Sequence, residues 1–242
     1  DVDDSDSIIT YSVATFGDSP KFSVNNTTGQ LTFNSPPDFE NKLDLNDTAG
    51  DNTYVVRVYA KDDENATGYQ DITVTVTDAN DPPLISAQSS TTVTMDEDGS
   101  PIGWTPPSVT ATDQDGDNLT WSLASQPTNG VAAVSGTGAA PTTFNYSPTT
   151  NWNGSDSFVA RVTEDGGNLN ANITVNVIVS PVNDPPVFST SSALNAAENQ
   201  TFVAVVQAND VIETADTITY AISGGADQSL FTINAATGAL SF

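Results

Sequence analysis

Short segments in which apolar and polar residues alternate make up much of the chain. One such segment is Tyr54–Ala60. The same alternation occurs at Ile72, Val74 and Val76, at Leu119, Trp121 and Leu123, at Phe158, Ala160 and Val162, and at Ile173, Val175, Val177 and Val179. Because side chains two residues apart lie on one face of a strand, each run predicts a β-strand with one buried face. Clusters of Gly, Asn, Asp and Pro separate the runs and no long segment has a helical period, so the pattern predicts an all-β fold built of sandwiches.

Six aromatic residues stand in or beside these predicted strands and turns. In a β-sandwich, large side chains fill a layer about 10 Å thick between the two sheets. We therefore expect core or rim packing for Tyr11, Phe22, Phe33, Trp104, Trp121 and Trp152. For Trp104 and Trp152, which stand beside Pro, Asn or Gly in predicted loops, stacking on a sugar is the alternative.

The two ends of the chain repeat each other. Residues 1–33 align with residues 210–242 at one constant offset and without a gap. The matched pairs are Asp1 and Asp210, Tyr11 and Tyr220, Phe22 and Phe231, Asn25 and Asn234, Gly29 and Gly238, Leu31 and Leu240, and Phe33 and Phe242. A second marker, Asn-Asp-Pro-Pro at 80–83 and again at 183–186, divides that offset into two nearly equal parts. We therefore predict three tandem repeats, over residues 1–83, 84–186 and 187–242, of which the first lacks its opening strands and the last its closing ones.

Both Asn-Asp-Pro-Pro stretches are predicted to be linkers between repeats. Proline cannot donate to a β-ladder, and it pushes the residue before it toward extended geometry. Two consecutive prolines therefore predict a short, stiff connector rather than a flexible hinge.

The charge balance of the chain is strongly acidic. It has 31 Asp and Glu against 5 Lys and Arg, a formal net charge of −26, with no Cys and no His. Disulfides, Cys- or His-based metal sites and thiolate or imidazole catalysis are therefore excluded. An acidic chain repels nucleic acid and anionic membranes, and no stretch approaches the ~20 apolar residues of a membrane helix, so we expect no nucleic acid partner and no direct membrane insertion. The carboxylates are either solvated or grouped around cations.

The acidic residues concentrate at predicted strand ends and linkers. The main groups are Asp38-Phe39-Glu40, Asp78-Ala79-Asn80-Asp81, and Asp113-Gln114-Asp115 with Asp117. A Ca2+ ion takes about six to eight oxygen ligands from carboxylates and carbonyls, whereas carboxylates crowded without a cation repel one another. The alternative is ordinary turn and capping chemistry, which also favours Asp and Asn. An EF-hand loop starting at Asp113 is rejected, because Asn118 and Ala124 stand where that loop needs Gly and Glu.

The acidic motifs, in the order in which they occur along the chain, resemble those of cadherin repeats. Asp1 and Asp3 resemble the family's DxD motif, and so do Asp113 and Asp115. Residues 38–40, which follow Gly29 and Leu31, resemble its DRE motif. Asp62 matches the AxD position, residues 78–82 match the linker motif with Pro at its last place, and Glu97 and Glu198 resemble the glutamate near the start of each repeat. The resemblance implies tandem Greek-key, Ig-like sandwiches of the cadherin type in an extended rod, with calcium between successive domains, at the cell surface or outside the cell.

The middle segment departs from that pattern. Residues 151–158 and 162–167 are similar to the cadherin-like repeats of large bacterial adhesins, which often end in a linker such as 181–186. Pro181 replaces the first acidic residue of the linker, Ile212 replaces the second Asp of a DxD pair, and Asp156 is the candidate substitute for a missing DRE motif. Because of these departures, the sequence leaves open whether the second junction binds its full set of calcium ions.

The resemblance implies three ligand sets. The first junction would use Asp38, Glu40, Asp78, Asn80, Asp81, Asp113 and Asp115, closed by Asp165 or Glu164. The second would use Glu97, Asn183, Asp184 and Asp210, and an upstream junction would use Asp1, Asp3 and Asp62. The implied function is a calcium-rigidified structural or adhesive segment, whose partners are other cadherin-like repeats of the same chain or of neighbouring subunits.

Three alternatives remain beside that function. Catalysis by paired carboxylates is disfavoured, because the acids recur at repeat boundaries and no G-x-S-x-G or P-loop pattern occurs. A carbohydrate-binding module would bind surface glycans through Trp104 or Trp152. An extracellular filament would form if the partial end repeats complete one another between subunits by strand addition.

Overall fold

The computed structural model describes residues 8–45, 49–166, 169–210 and 217–242. Asp1 and Asp3, two of the predicted cation ligands, lie outside these residues, as does Ile212. The described residues form β-strands and short 3-10 turns, with no α-helix among them, which confirms the predicted all-β fold. They group into two compact units, one of residues 1–82 with 113–117 and one of residues 83–112 with 118–242. Nowhere in the described part of the chain is a helix long and apolar enough to span a membrane.

Among the described residues, the first unit contains the strands β1 (Thr10–Gly17), β2 (Phe22–Val24), β3 (Leu31–Phe33), β4 (Thr53–Lys61) and β5 (Thr67–Thr75). An antiparallel sheet has the order β1-β4-β5, and β2 pairs with β3 as an antiparallel hairpin. Thr53 pairs with Thr75 and Lys61 with Thr67, so residues that follow β4 and residues that follow β5 lie at opposite ends of that strand pair.

The core of the first unit forms where aromatic side chains meet. The ring centroids of Phe22 and Phe33 lie 4.3 Å apart, and Tyr54 approaches them edge-on at 6.2 and 5.3 Å. Tyr54 and Val56 are buried, whereas the other residues of β4 are half-buried apart from the exposed Lys61. The burial predicted from the alternation is confirmed at Tyr54 and Val56, and Val58 packs partly buried against the same core, whereas Arg57 pairs with Asp71 at 2.6 Å.

The second unit begins with eight strands: β6 (Leu84–Ile85), β7 (Ser90–Asp96), β8 (Ala111–Thr112), β9 (Leu119–Ser125), β10 (Gly130–Thr137), β11 (Thr143–Pro148), β12 (Gly154–Glu164) and β13 (Asn170–Ser180). Six of them form one sheet in the order β11-β10-β9-β12-β13-β7, in which β7 runs parallel to β13 and the other pairs are antiparallel. Strands β6 and β8 pair separately.

The predicted apolar positions of this part form one core. Trp121, Phe158, Val162, Ile173 and Val175 are each no more than 2% exposed. Strands β12 and β13 alternate buried and more exposed residues along most of their length, as expected for strands with one apolar face. The alternation read from the sequence therefore places the core residues of β9, β12 and β13 correctly.

The remainder of the second unit contains β14 (Val187–Phe188), β15 (Phe202–Val205), β16 (Ala208–Asn209), β17 (Thr232–Ile233) and β18 (Ala239–Ser241). Strand β14 pairs with β16, and a second small sheet has the order β15-β18-β17.

The internal repeat of the sequence is also a repeat of local structure. Phe231 and Phe242 stack at 4.5 Å with an interplanar angle of 34°, and Phe22 and Phe33 do so at 4.3 Å with the same angle. The Oδ1 atoms of Asn25 and Asn234 each accept hydrogen bonds from the two main-chain N–H groups that lie two and three residues ahead. Both turns end in a glycine at a φ of +70°, which a residue with a side chain rarely adopts.

Candidate metal centre

Three separate stretches of chain meet in the first unit and bring carboxylates together. Residues 113–117 belong to this unit, although the chain on both sides of them belongs to the second. One carboxylate oxygen each of Glu40, Asp78 and Asp115 lie within 4.8 Å of one another. The structure therefore gathers one member of each acidic group that the sequence singles out at the first linker.

Hydrogen bonds order the first of these stretches. Oδ1 of Asp38 accepts bonds from the main-chain N–H groups of Glu40 at 3.1 Å and Asn41 at 2.8 Å. Nε2 of Gln114 donates to Asp38 Oδ1 at 3.2 Å and to Glu40 Oε2 at 3.3 Å. Gln114, the middle residue of the 113–115 motif, thus connects two of the three stretches.

The third stretch is folded around Asp113. Its Oδ1 accepts bonds from the N–H groups of Asp115 at 3.0 Å and Asp117 at 3.2 Å, across Gly116, which has a φ of +83°. Oδ2 of Asp115 accepts a 2.7 Å bond from the N–H of Asp81, in the predicted linker. Asn80, the other linker residue in the predicted set, lies next to Asp81 and is exposed.

The electrostatics of this cluster favour a cation. Partial burial, with the charges of Asp115 and Asp78, raises the pKa of the Glu40 carboxyl despite its hydrogen bonds. Oδ2 of Asp113 and Oδ1 of Asp115 are buried and have no hydrogen-bond partner among the described residues. Buried, unpartnered carboxylate oxygens are costly unless a cation or donor meets them, and hard oxygen donors suit Ca2+ or Mg2+. The residues present therefore fit such an ion.

Asp62 and Asp165 are two further members of the predicted sets. Asp62 follows β4, at the end of the β4–β5 pair away from Thr75, and its Oδ1 accepts the N–H of Ala66 at 2.8 Å. Asp165, in the second unit, accepts bonds at both oxygens from Asn118, from the main-chain N–H at 3.1 Å and from Nδ2 at 2.9 Å. Its neighbour Glu164 is buried and accepts the N–H of Leu169 at Oε1.

A second acidic cluster lies wholly within the second unit. Glu97 is completely buried, its Oε1 accepts a 2.7 Å bond from the N–H of Val182, and its Oε2 has no hydrogen-bond partner among the described residues. Oδ1 of Asp210 is likewise buried without one. Burial raises the pKa of Asp184, and the charges of Asp98, Glu97 and Asp210 raise it further.

Asn183 stands beside this cluster, exposed to solvent, with its Nδ2 donating to the carbonyl of Asp184 at 3.3 Å. Asp98, by contrast, is a member that the sequence analysis missed. It adopts a φ of +58° in the turn Glu97–Gly99. The adjacent acidic pair at 97 and 98 was the signal that could have indicated it.

Residues 80–178 match the family model of the bacterial Ig domain. A fragment of protocadherin gamma B2 with extracellular cadherin domains 3–6 superposes with a TM-score of 0.54 at 21% identity, covering 96% of this chain and 57% of that one. The chain carries a cadherin-like, Ig-like sandwich fold. That confirms the family resemblance read from the motifs, as far as the fold is concerned.

Two further solved structures are less similar to the chain. Drosophila N-cadherin domains EC1–4 give a TM-score of 0.41 at 15% identity, with 98% of this chain and 58% of that one covered. A mouse clustered protocadherin, EC1–3, gives 0.43 at 19%, with 96% and 77% covered. The chain thus spans somewhat more than half the length of the protocadherin gamma B2 and N-cadherin fragments. No curated protein sequence matches it significantly.

Within the Ig-like repeat, Asp156 has a structural role instead of the ligand role considered for it. Its carboxylate accepts bonds from the N–H groups of Thr128, Asn129 and Ser157 and from the hydroxyl of Tyr146. Burial alone would raise the pKa of Asp156, but these donors outweigh burial and hold it below its ordinary value. Both oxygens are therefore used to hold the loop before β10, and the idea that Asp156 substitutes for a DRE motif is wrong.

The two tryptophans considered for sugar stacking pack against the core of the Ig-like repeat. Nε1 of Trp104 donates to the carbonyl of Phe144 at 2.9 Å, and its ring lies 5.7 Å from that of Tyr146. The ring of Trp152 covers Gly154, where an added Cβ would lie 3.1 Å from it. Core or rim packing accounts for both residues, and this leaves the glycan alternative without support.

Proposed function

We propose that this chain is a calcium-binding, non-enzymatic segment of an extracellular tandem-repeat protein, with a structural and adhesive role at a bacterial cell surface. The convergence of Glu40, Asp78 and Asp115 carries the proposal, because three acidic stretches far apart in sequence place their carboxylates within 4.8 Å. The match of residues 80–178 to the bacterial Ig domain supports the bacterial and repeat-protein part.

The first centre would be held by residues of the three stretches. The proposed ligands are Asp38, Glu40, Asp78, Asn80, Asp81, Asp113 and Asp115. When bound, Ca2+ supplies two positive charges that neutralise this group. The residues themselves preorganise it, since Gln114 connects Asp38 with Glu40 and the Asp81 N–H orients the Asp115 carboxylate. Such preorganisation reduces the ordering that binding would otherwise require.

The mechanical consequence follows from the connectivity of the chain. Residues 113–117 belong to the first unit, while residues 83–112 and 118 onward belong to the second. An ion shared by 38–40, 78–81 and 113–115 would therefore restrain the connection around Pro82 and Pro83. In the ion-free chain, repulsion between like charges loosens the same connection. We infer a calcium-dependent gain of stiffness, which suits a segment that extends an adhesive surface away from a cell.

A second centre is proposed around Glu97, Asp184 and Asp210, with Asn183 beside them and Asp98 as an additional acidic group. Its support is the pair of buried, unpartnered oxygens at Glu97 Oε2 and Asp210 Oδ1. The upstream set of Asp1, Asp3 and Asp62 and the closing role of Asp165 or Glu164 stay predictions.

Thermal unfolding and limited proteolysis, in millimolar CaCl2 and in EGTA, test the function. A ligand at about 100 times its Kd stabilises the folded state by ~2.7 kcal/mol, so we expect a Tm rise of roughly 5–10 °C. Papain, which needs no calcium, suits the proteolysis, since the chain has only 5 Lys and Arg residues for trypsin. Calcium should protect the linker around residues 78–83. An unchanged Tm together with unchanged linker cleavage would reject the calcium role.

A further inference from the structure

We propose that Asn52, which none of the acidic motifs contains, positions the ligands of the first centre. This inference rests on the proposed calcium binding. Asn52 is 2% exposed and contacts both the first stretch and the chain just before the second. Its Nδ2 donates a 2.8 Å bond to the carbonyl of Phe39, the residue between Asp38 and Glu40. Its own carbonyl accepts a 3.0 Å bond from the N–H of Val76, two residues before Asp78.

The conformation of Asn52 makes this double contact specific to asparagine. Its φ is +64°, a left-handed value that Gly and Asn adopt most readily. Glycine would permit the backbone and the bond from Val76 but has no amide to reach Phe39. A longer or branched side chain would be strained at this φ. Asparagine alone combines the backbone conformation with a short side-chain donor.

Asp44 holds Asn52 in place from the other side. The Asp44 side chain is nearly fully buried, with Oδ2 accepting the N–H groups of Gly50 at 2.6 Å and Asp51 at 3.2 Å. Its Oδ1 accepts the N–H of Asn52 at 3.3 Å. The backbone bonds hold the pKa of Asp44 below its ordinary value despite burial. Asn52 is thus fixed by a loop that carries no ligand of the cluster.

The side-chain amide of Asn52 leaves one buried polar atom unsatisfied. Its Oδ1 is buried and has no hydrogen-bond partner among the described residues. Leaving a buried acceptor unsatisfied is unfavourable, and a glycine would avoid it. The favourable contribution of the side chain is the Nδ2 bond to the carbonyl of Phe39, which fixes the position of the main chain between Asp38 and Glu40. We therefore assign Asn52 as a positioning residue for the carboxylates of the first centre.

The test compares the wild type with Asn52→Gly, which keeps the left-handed backbone and removes only the amide. Calcium is titrated and followed by amide NMR, with Glu40 and Asp115 reporting the first centre and Val182 the second. We expect the calcium Kd of the first centre to rise about five- to tenfold and that of the second to stay unchanged. Since one hydrogen bond contributes ~1 kcal/mol, a change of that size is what its loss predicts.

Ser19→Ala is the matched control. Ser19 is also buried in the first unit, and its hydroxyl oxygen accepts the N–H of Arg57 at 3.3 Å, a residue of β4 and of none of the acidic stretches. This variant should be destabilised without losing calcium affinity. An equal loss of affinity in Ser19→Ala would reduce the Asn52 effect to general destabilisation and would overturn the inference, as would an unchanged Kd in Asn52→Gly.

Hydrogen exchange in the wild type gives a second measurement that needs no variant. Because coupling is reciprocal, calcium should slow exchange of the Asn52 side-chain amide protons, which donate to Phe39, by the same five- to tenfold factor. A wild type that binds calcium without this slowing contradicts the positioning role alone. A wild type in which no amide of either centre responds to calcium rejects the proposed function itself.

Discussion

The main-chain N–H of Asp81 donates a hydrogen bond of 2.7 Å to Oδ2 of Asp115, a residue 34 positions further along the chain. The bond joins the predicted linker to the 113–115 motif before any ion is considered. It also leaves Oδ1 of the same carboxylate buried and without a hydrogen-bond partner among the described residues. One oxygen of Asp115 is therefore used for structure and the other is available to a cation.

This division of roles predicts the behaviour of Asp115→Asn. The amide keeps an oxygen that can accept the Asp81 N–H, so the fold should persist. The loss of one negative charge should weaken calcium binding at the first centre by about tenfold or more, because ligand charge tunes calcium affinity. Isothermal titration calorimetry measures the change. Asp227→Asn removes an exposed carboxylate far along the chain and should leave the affinity as in the wild type; if both variants lose affinity alike, net charge rather than the site is responsible.

The raised pKa of Glu40 predicts a stability effect whose sign depends on calcium. Because the folded-state pKa lies above the unfolded value, ionised Glu40 opposes folding at neutral pH, and this effect disappears as pH falls below the ordinary carboxyl range. In EGTA at pH 7, Glu40→Gln should therefore stabilise the first unit, and at about pH 3.5 it should match the wild type. In calcium at pH 7 the order should reverse, since the carboxylate then binds the ion.

Hydrogen exchange of the main-chain amides in β4 and β5 measures the stability of the first unit alone. Asp62→Asn serves as the comparison, because Asp62 lies at the other end of the β4–β5 pair. If Glu40→Gln is destabilising in EGTA at pH 7, the carboxylate is not repelled by its neighbours and the assigned cause of its raised pKa is wrong.

Glu97 predicts a separation between structural and ionic effects in the second unit. Glu97→Gln keeps an acceptor for the Val182 N–H, so it should retain stability in EGTA and lose the calcium response of this centre. Glu97→Ala leaves that N–H without its partner and should lower the free energy of unfolding by about 1–3 kcal/mol with or without calcium. Tryptophan fluorescence follows this unit, which contains all three Trp residues. A calcium response that survives in Glu97→Gln would remove Glu97 from the proposed ligands.

Asp156 predicts a calcium-independent effect. Asp156→Asn replaces one acceptor oxygen by a donor facing N–H groups, which should destabilise the Ig-like repeat by about 1–2 kcal/mol at pH 7. Because the folded-state pKa of Asp156 is depressed, the wild-type stabilisation is present above the ordinary pKa and is lost as pH falls through the lowered value. The pH dependence of unfolding between about pH 4 and pH 2 should therefore be flatter in the variant. A difference between EGTA and calcium would contradict the structural assignment.

Much of the fold could be predicted from the chain alone because its determinants are local. A period of two residues indicates which side chains share one face of a strand. It therefore predicted that Tyr54, Phe158 and Ile173 lie in the core before any strand pairing was known. The sequence aligned Asn25 with Asn234, and the structure shows the same turn at both, since an asparagine that accepts from its own following N–H groups needs no distant partner.

What only the tertiary structure decided is which acidic groups meet and what else competes for them. Asp98 lies in the second cluster, Asp156 accepts bonds from a loop and from Tyr146, and Asp165 accepts bonds from Asn118. In the sequence all three are alike, as acids near strand ends. Their roles depend on strand register and long-range contacts, because electrostatic and hydrogen-bond energies follow distances in space. Asn52 shows the same limit, since its contacts with Phe39 and Val76 are set by folding rather than by any motif.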